Sequence, residues 1–260
     1  MKTQYGDDVS VRTEGHVAVL TFSRPPNNHV STESMRDLAD ALFDIDAETD
    51  LRATVLVTAG RVFCAGADLV SPTGIGPSGM QGINPLYVEA VRLFSAKKPI
   101  VAAVQGAAVG AGLGLALVAD FRVVAPEARF TANFVKLGFH PGFGITHTLP
   151  RVIGQQRAAL LCMTGRRING EQALEWGLAD SIAPVDELEA TAVALAAEIA
   201  EAAPLAVQST RATFRAGLAE AVKAQTDHEL AEQNWLRKTK DFAEGVRAVN
   251  ERRAGNFVGA

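Results

Sequence analysis

The sequence predicts an α/β fold with mostly parallel strand pairing, followed by a helical C-terminal part. Three observations lead there. Short β-branched and apolar runs read as strands buried on both faces. Segments with apolar residues at i, i+3, i+4 and i+7 separate them. From about Gln155 onward the pattern is almost wholly helical. Alternation of the first two kinds of segment is what strands joined by crossover helices produce.

In chain order, 17–22 reads as a strand ended by the turn Arg24-Pro25-Pro26-Asn27-Asn28. Ser31 or Thr32 caps a helix to about Asp46, with Met35, Leu38, Ala39, Leu42 and Phe43 as its apolar stripe. Residues 53–58 are apolar or β-branched throughout and form a second strand. Residues 71–85 concentrate Gly, Pro and Ser and read as a mobile loop. Helical period resumes over 86–96 and stops at Lys97-Lys98-Pro99; 100–104 is a strand, followed by a glycine turn and a helix to about Val118. A strand at 121–124 precedes helices at 157–163, 170–176, 187–202, 206–216 and 220–237, with a short strand at 180–183 among them. Residues 1–200 are expected to form the α/β core. Residues 201–260 belong to the same unit and pack on that core or on a neighbouring subunit.

Composition limits the function. The chain has 260 residues, 48% of them hydrophobic and 21% charged, an ordinary globular mixture. With 25 Lys and Arg against 29 Asp and Glu the net charge is −4, so nucleic acid is not an expected partner. Only Cys64 and Cys162 are present, which fits a reducing compartment, and the first residues lack the apolar core of a signal peptide; a cytoplasmic protein is expected. The apolar stretch 100–119 is long enough to span a bilayer, but Gly106, Gly110, Gly112 and Gly114 interrupt it and no second span accompanies it. A buried strand, turn and helix explain it better, and no membrane is expected.

Two glycine-bearing turns follow buried strands, at 60–69 and 105–114. The second opens directly into a helix, whose first amides are unpaired and sit at the positive end of the dipole. If the strands are neighbours, each turn offers one N–H to a single oxygen and so stabilises a developing oxyanion. The competing reading is helix–strand packing through glycine. A dinucleotide fingerprint fails at Leu115, and no Gly-Lys-Ser/Thr makes a P-loop. No metal site is expected.

Taken together, several segments resemble the enoyl-CoA hydratase/isomerase (crotonase) superfamily. They are Arg24-Pro25 with the asparagines after it, Phe63-Cys64-Ala65-Gly66-Ala67-Asp68-Leu69, 98–106, Ala119-Asp120-Phe121-Arg122, 164–168, 171–179 and the ending from Asp241 to Gly259. The resemblance covers nearly the whole chain. It implies a crotonase-like spiral of ββα units with a helical C-terminal trimerisation part, and homotrimers or homohexamers. It also implies a coenzyme A thioester as substrate with no further cofactor. The thioester oxygen would sit between the backbone amides of Ala67 and Ala111. Arg24, Ala65, Asp68 and Leu69 are the candidate coenzyme A contacts.

The pattern departs from hydratases at both acid–base positions. The two glutamates of hydratases fall on Gly114 and Phe134, neither of which moves a proton. Loss of general acid–base help costs on the order of 10²–10⁴ in rate per group. The expected activity is therefore enolate stabilisation in a reaction other than two-glutamate hydration; a catalytically silent acyl-CoA-binding subunit is the alternative. His140, six residues beyond Phe134, is the leading candidate proton carrier, because imidazole titrates near neutrality. His29 is a second. Lys97 and Lys98 are further phosphate candidates, while Asp120, Glu33 and Cys64 read as structural. His228, Glu232 and Trp235 lie on the tail helix, which in some relatives closes over the acyl group.

Overall fold

The computed structural model describes residues 1–67 and 84–260. Asp68, Leu69 and the loop at 71–85 up to residue 83 therefore lie outside the described residues.

The chain begins with a meander, β1 (Gln4–Tyr5), β2 (Val9–Glu14) and β3 (Val17–Phe22), paired antiparallel. Helix α1 (Thr32–Ala47) follows. Its N-cap is Ser31, whose hydroxyl accepts from the Ser34 amide while the Ser34 hydroxyl answers the Ser31 amide, a reciprocal capping box. The buried stripe is Met35, Leu38, Ala39, Leu42 and Ile45; Phe43 turns outward and carries the Arg92 guanidinium over its ring at 5.0 Å. The strand β4 (Ala53–Thr58), the helix α2 (Pro85–Leu93) and the strand β5 (Ile100–Val104) come next. The apolar stretch 100–119 then divides into β5, a three-residue strand β6 (Ala107–Val109) inside the predicted glycine turn, and helix α3 (Ala111–Val118), which is buried throughout. Among the described residues no single helix is long and apolar enough to cross a membrane.

Beyond it lie β7 (Phe121–Val124), β8 (Arg129–Thr131), a 3-10 turn at Asn133–Leu137, α4 (Ile145–Ile153) and α5 (Gln155–Thr164). Then come β9 (Arg167–Asn169), α6 (Gly170–Trp176) and β10 (Ser181–Ile182). Four helices finish the chain: α7 (Leu188–Glu201), α8 (Pro204–Phe214), α9 (Leu218–Leu236) and α10 (Lys240–Asn250). The main sheet has the order β1-β2-β3-β4-β5-β7-β10, parallel from β3 onward, and β6-β8-β9 form a small second sheet. The strands missed by periodicity are β1, β6, β8 and β9, of two or three residues and too short to show a period, and β2, whose outer half is exposed; β10, equally short, falls within the expected strand at 180–183.

Period-two alternation divides the main sheet into two cores. Val19, Val55, Val101 and Val123 face α7, which meets them with Leu188, Ala192, Ala196 and Ala200 at every fourth position. Leu20, Leu56, Ala102 and Val124 face the opposite way, into the larger core with α1, α2 and α3. The tail returns to its own chain: α9 contacts α2 and α4, and α10 contacts the 3-10 turn. Asp120 anchors α8 by accepting from the Ile100 amide (2.8 Å), Arg211 Nε (2.8 Å) and Arg215 Nη1 (3.0 Å).

Candidate active site

Strands β4 and β5 are parallel neighbours, with Thr54 opposite Ile100. The two turns therefore leave the same end of the sheet, side by side. They are laced together: the Cys64 amide donates to the Ala107 carbonyl and the Val109 amide to the Cys64 carbonyl, both at 2.9 Å. Such close approach requires glycine on both sides. A Cβ on Gly112 would collide with the Cys64 carbonyl, and one on Gly66 would stand 2.9 Å from the Val109 oxygen and 3.8 Å from the Ala111 nitrogen. Gly66 also has φ +99°, which L side chains rarely adopt.

This lacing brings Ala67 and Ala111 into the lining of one cavity of about 70 Å3. Ala111 is the first residue of α3, so its amide has no acceptor within the helix. Among the described residues neither amide has a hydrogen-bond partner. The Gly66–Ala67 peptide is oriented from behind, since the Gly66 carbonyl accepts from the Val30 amide (3.0 Å) and lies 3.3 Å from His29 Nδ1. A carbonyl only accepts, so that contact requires the proton on Nδ1.

The remainder of the cavity is apolar and aromatic, built by Leu86, Phe134, Leu137, Phe139 and Phe143, with Tyr87, Asn133 and Arg237 as its polar side chains. Phe134 packs edge-on to Phe139 at 5.5 Å, which packs likewise on Phe242 at 5.4 Å. Phe143 is fully buried with φ +65°, and its ring covers Gly114 so closely that a Cβ there would overlap it. No carboxylate or imidazole lines the cavity among the described residues. A larger cavity of about 660 Å3 lies by α8 and the Asp120 cluster; neither glycine turn reaches it.

The chain belongs to the enoyl-CoA hydratase/isomerase family. The family's sequence profile, described as Enoyl-CoA hydratase/isomerase, matches residues 12–260. The protein named "Probable enoyl-CoA hydratase EchA14" of Mycobacterium tuberculosis is 38% identical over 229 residues, covering 87% of this chain and 89% of that one. The 1,2-epoxyphenylacetyl-CoA isomerase of Escherichia coli K12 is 34% identical, covering 95% of this chain and 96% of the other. The crystal structure of an enoyl-CoA hydratase/isomerase from Pseudoalteromonas atlantica superposes with a TM-score of 0.87 at 30% identity, covering 97% of this chain and all of that one. The fold is the crotonase fold.

Within this family member the other sequence candidates take varied positions. Ala65 lines the cavity, and its amide is used by the Asn27 carbonyl at 3.0 Å. Arg24 is turned onto its own segment, donating to the His29 carbonyl at 2.9 Å with Asp8 3.5 Å from Nε. The buried Lys98 places Nζ 2.5 Å from the carbonyls of Ile45 and Glu48 and so closes the end of α1. His140 is not among the cavity-lining residues: Nδ1 lies 2.8 Å from the Pro141 carbonyl, and the ring is edge-on to His228 at 6.0 Å. His228 and Trp235 are exposed, the latter donating to Glu232 at 2.8 Å. Cys64 is buried, and burial pushes its thiol up to about 12, which leaves it un-ionised and unsuited to attack.

Sequence reasoning passed over Tyr87, Asn133, Phe143, Glu229, Gln233 and Arg237. Tyr87 donates to Gln233 Oε1 at 3.1 Å, and burial raises its phenol. Glu229 accepts from the Gly144 amide (2.7 Å), the Thr146 amide (3.1 Å) and the Thr146 hydroxyl (2.5 Å), clasping α9 to the turn that carries Phe143. Burial pushes its carboxyl up to about 7 against those bonds. A signal for three of the six was available: Glu229, Gln233 and Arg237 are four apart and share one helix face.

Proposed function

We propose that this protein binds an acyl-CoA thioester and stabilises its enolate between the amides of Ala67 and Ala111, in a reaction other than two-glutamate hydration. The observation that carries the reading is that Ala67 and Ala111, whose amides have no partner among the described residues, line one small, mostly apolar cavity. Donors fixed in advance where charge develops are worth about 3–4 kcal/mol each in acyl-transfer sites. The departure from hydration rests on Gly114, capped by the Phe143 ring, and on Phe134 in the cavity wall. His140 is the proposed proton carrier: Phe139 before it lines the cavity and Gly142 lies two residues beyond. Replacing it by Ala is expected to lower turnover at least about tenfold with coenzyme A affinity intact; an unchanged rate removes it.

The absence of carboxylate and imidazole from the described lining favours one second reading, a silent acyl-CoA-binding subunit. Incubation with crotonyl-CoA in D₂O, followed by NMR, separates the readings. Exchange of the γ-protons without hydration supports enolate chemistry. Fast formation of 3-hydroxybutyryl-CoA overturns the departure from hydration, and binding without exchange of any thioester α-proton supports the silent subunit. The assembly proposed is a homotrimer or homohexamer. The exposed side chains of Leu205 (80%) and Phe214 (78%) on α8 suit a subunit contact, and light scattering tests it.

A further inference from the structure

The aromatic lining of the cavity is interrupted by a cation. Arg237, at the C-terminal end of α9, lines the same cavity as Ala67 and Ala111. Its guanidinium lies over the Phe139 ring at 5.6 Å, and its Nε is buried without a hydrogen-bond partner. Among the described residues no carboxylate pairs with it, although Arg is paired in many other places on this molecule. A guanidinium stays protonated at any ordinary pH. Such a charge on a partly buried, mostly apolar wall is costly until a counter-ion arrives.

Two of the neighbouring polar groups, Gln233 and Tyr87, are already committed to each other and to backbone. Gln233 Nε2 donates to the carbonyls of His140 (2.9 Å) and Pro141 (3.2 Å), which fixes the amide and turns Oε1 toward Tyr87. The Tyr87 proton is spent on that oxygen, so among the described lining residues the side-chain donors left are the neutral Asn133 amide and the charged Arg237 guanidinium. The ordinary partner of a planar guanidinium fork is a carboxylate held by two parallel bonds.

We infer that Arg237 selects the acyl group: the cavity takes a short dicarboxylic acid as its coenzyme A monothioester, with the free carboxylate on the Arg237 guanidinium and the thioester oxygen between Ala67 and Ala111. The inference rests on the acyl-CoA reading above and names its substrate class. A phosphate of the coenzyme A portion would offer the same oxyanion chemistry, so the test must distinguish the two.

Affinities of succinyl-CoA, butyryl-CoA and coenzyme A are to be measured by calorimetry on the full-length protein and on Arg237→Met, which keeps an apolar stem without the charge. The expected result is roughly tenfold or greater preference of the wild type for succinyl-CoA over butyryl-CoA, collapsing to a ratio of about one in the variant. No preference in the wild type overturns the inference. An equal loss for all three ligands in Arg237→Met overturns it too, and assigns the guanidinium to a phosphate. If none of the three binds the wild type, the acyl-CoA reading itself falls; if butyryl-CoA binds as well as succinyl-CoA, only the Arg237 inference does. Should Arg237→Met fold poorly, the wild-type ratio alone decides.

Discussion

The two halves of the cavity are made differently. One half is backbone: the turns after β4 and β5, laced by Cys64, Ala107 and Val109, present amides and no functional side chain. The other half is side chain: Tyr87 from α2, Phe134 to Phe143 from the segment around the 3-10 turn, and Arg237 from α9. The backbone half is over-determined: Ala67 is bridged to Val30, Cys64 to Ala108, and a Cβ on Gly66 or Gly112 would strike backbone. The side-chain half depends on a helix far along the chain folding back, held by Glu229 and Gln233. Under the proposed function, the enolate would be held by the first kind of wall, and the acyl group would be selected by the second.

The hardest blow to the comparison is to the backbone half. Gly112→Val drives a branched side chain against the Cys64 carbonyl, an atom that cannot move without breaking the lacing. The expected loss exceeds about 4 kcal/mol, or the chain fails to fold, read by denaturant unfolding. A fold as stable as wild type would mean that the turns are not rigidly coupled.

Next in size is the contact between the Phe143 ring and Gly114. Phe143→Ala is expected to cost about 3–5 kcal/mol as a buried aromatic deletion, and Gly114→Ala about 1–3 kcal/mol through overlap with that ring. Because the two defects offset each other, the double variant should cost at least about 1 kcal/mol less than the sum. Additive losses would show that Phe143 does not occupy the space beside Gly114.

What was legible in the sequence follows the same division. Strands 17–22, 53–58, 100–104 and 121–124 were read to the residue, because buried parallel strands are continuous apolar runs whose ends need only local signals. The pair of turns was legible for the same reason: glycine spacing after a strand is local. Arg237 and Tyr87 were not, because what sets a helical Arg apart from a solvated one is a ring about a hundred residues away, here Phe139 from a different element. Phe43 and Ile45 show the limit on a smaller scale, since both fit a helical stripe and only the packing of α2 decides between them.

Glu229 gives the third test, on the side-chain half. Its carboxyl sits at about 7 in the fold against an ordinary 4.5, raised by burial. Between those values the folded state holds the proton more than the unfolded chain does, so Glu229's contribution to stability is full below about 4.5 and is lost as pH rises through about 7, by up to roughly 3 kcal/mol. Urea midpoints at pH 5 and pH 8 should show that fall in the wild type and a flatter profile in Glu229→Gln. The same slope in both proteins would remove Glu229 as its source.

The smallest expected effect lies where a side chain reaches into the backbone half. His29 donates to the carbonyl of the peptide whose other end is the Ala67 amide. A donor on the oxygen of a peptide polarises its N–H, as hydrogen bonds in a chain strengthen one another. His29 is not among the cavity-lining residues, so under the proposed function its expected role is a positioning one, through Ala67. Because the Val30 amide also holds that carbonyl at 3.0 Å, the peptide keeps its place without the imidazole and only its polarisation falls. His29→Ala should therefore lower kcat by about three- to tenfold, about 0.7–1.4 kcal/mol, with thioester affinity little changed. The carbonyl stretch of a bound thioester, read by infrared difference spectroscopy, should move to higher frequency in the variant as the hole weakens. A lower kcat with an unshifted carbonyl would mean that His29 acts elsewhere, and an unshifted carbonyl with unchanged kcat would mean that the Ala67 amide needs no support beyond Val30.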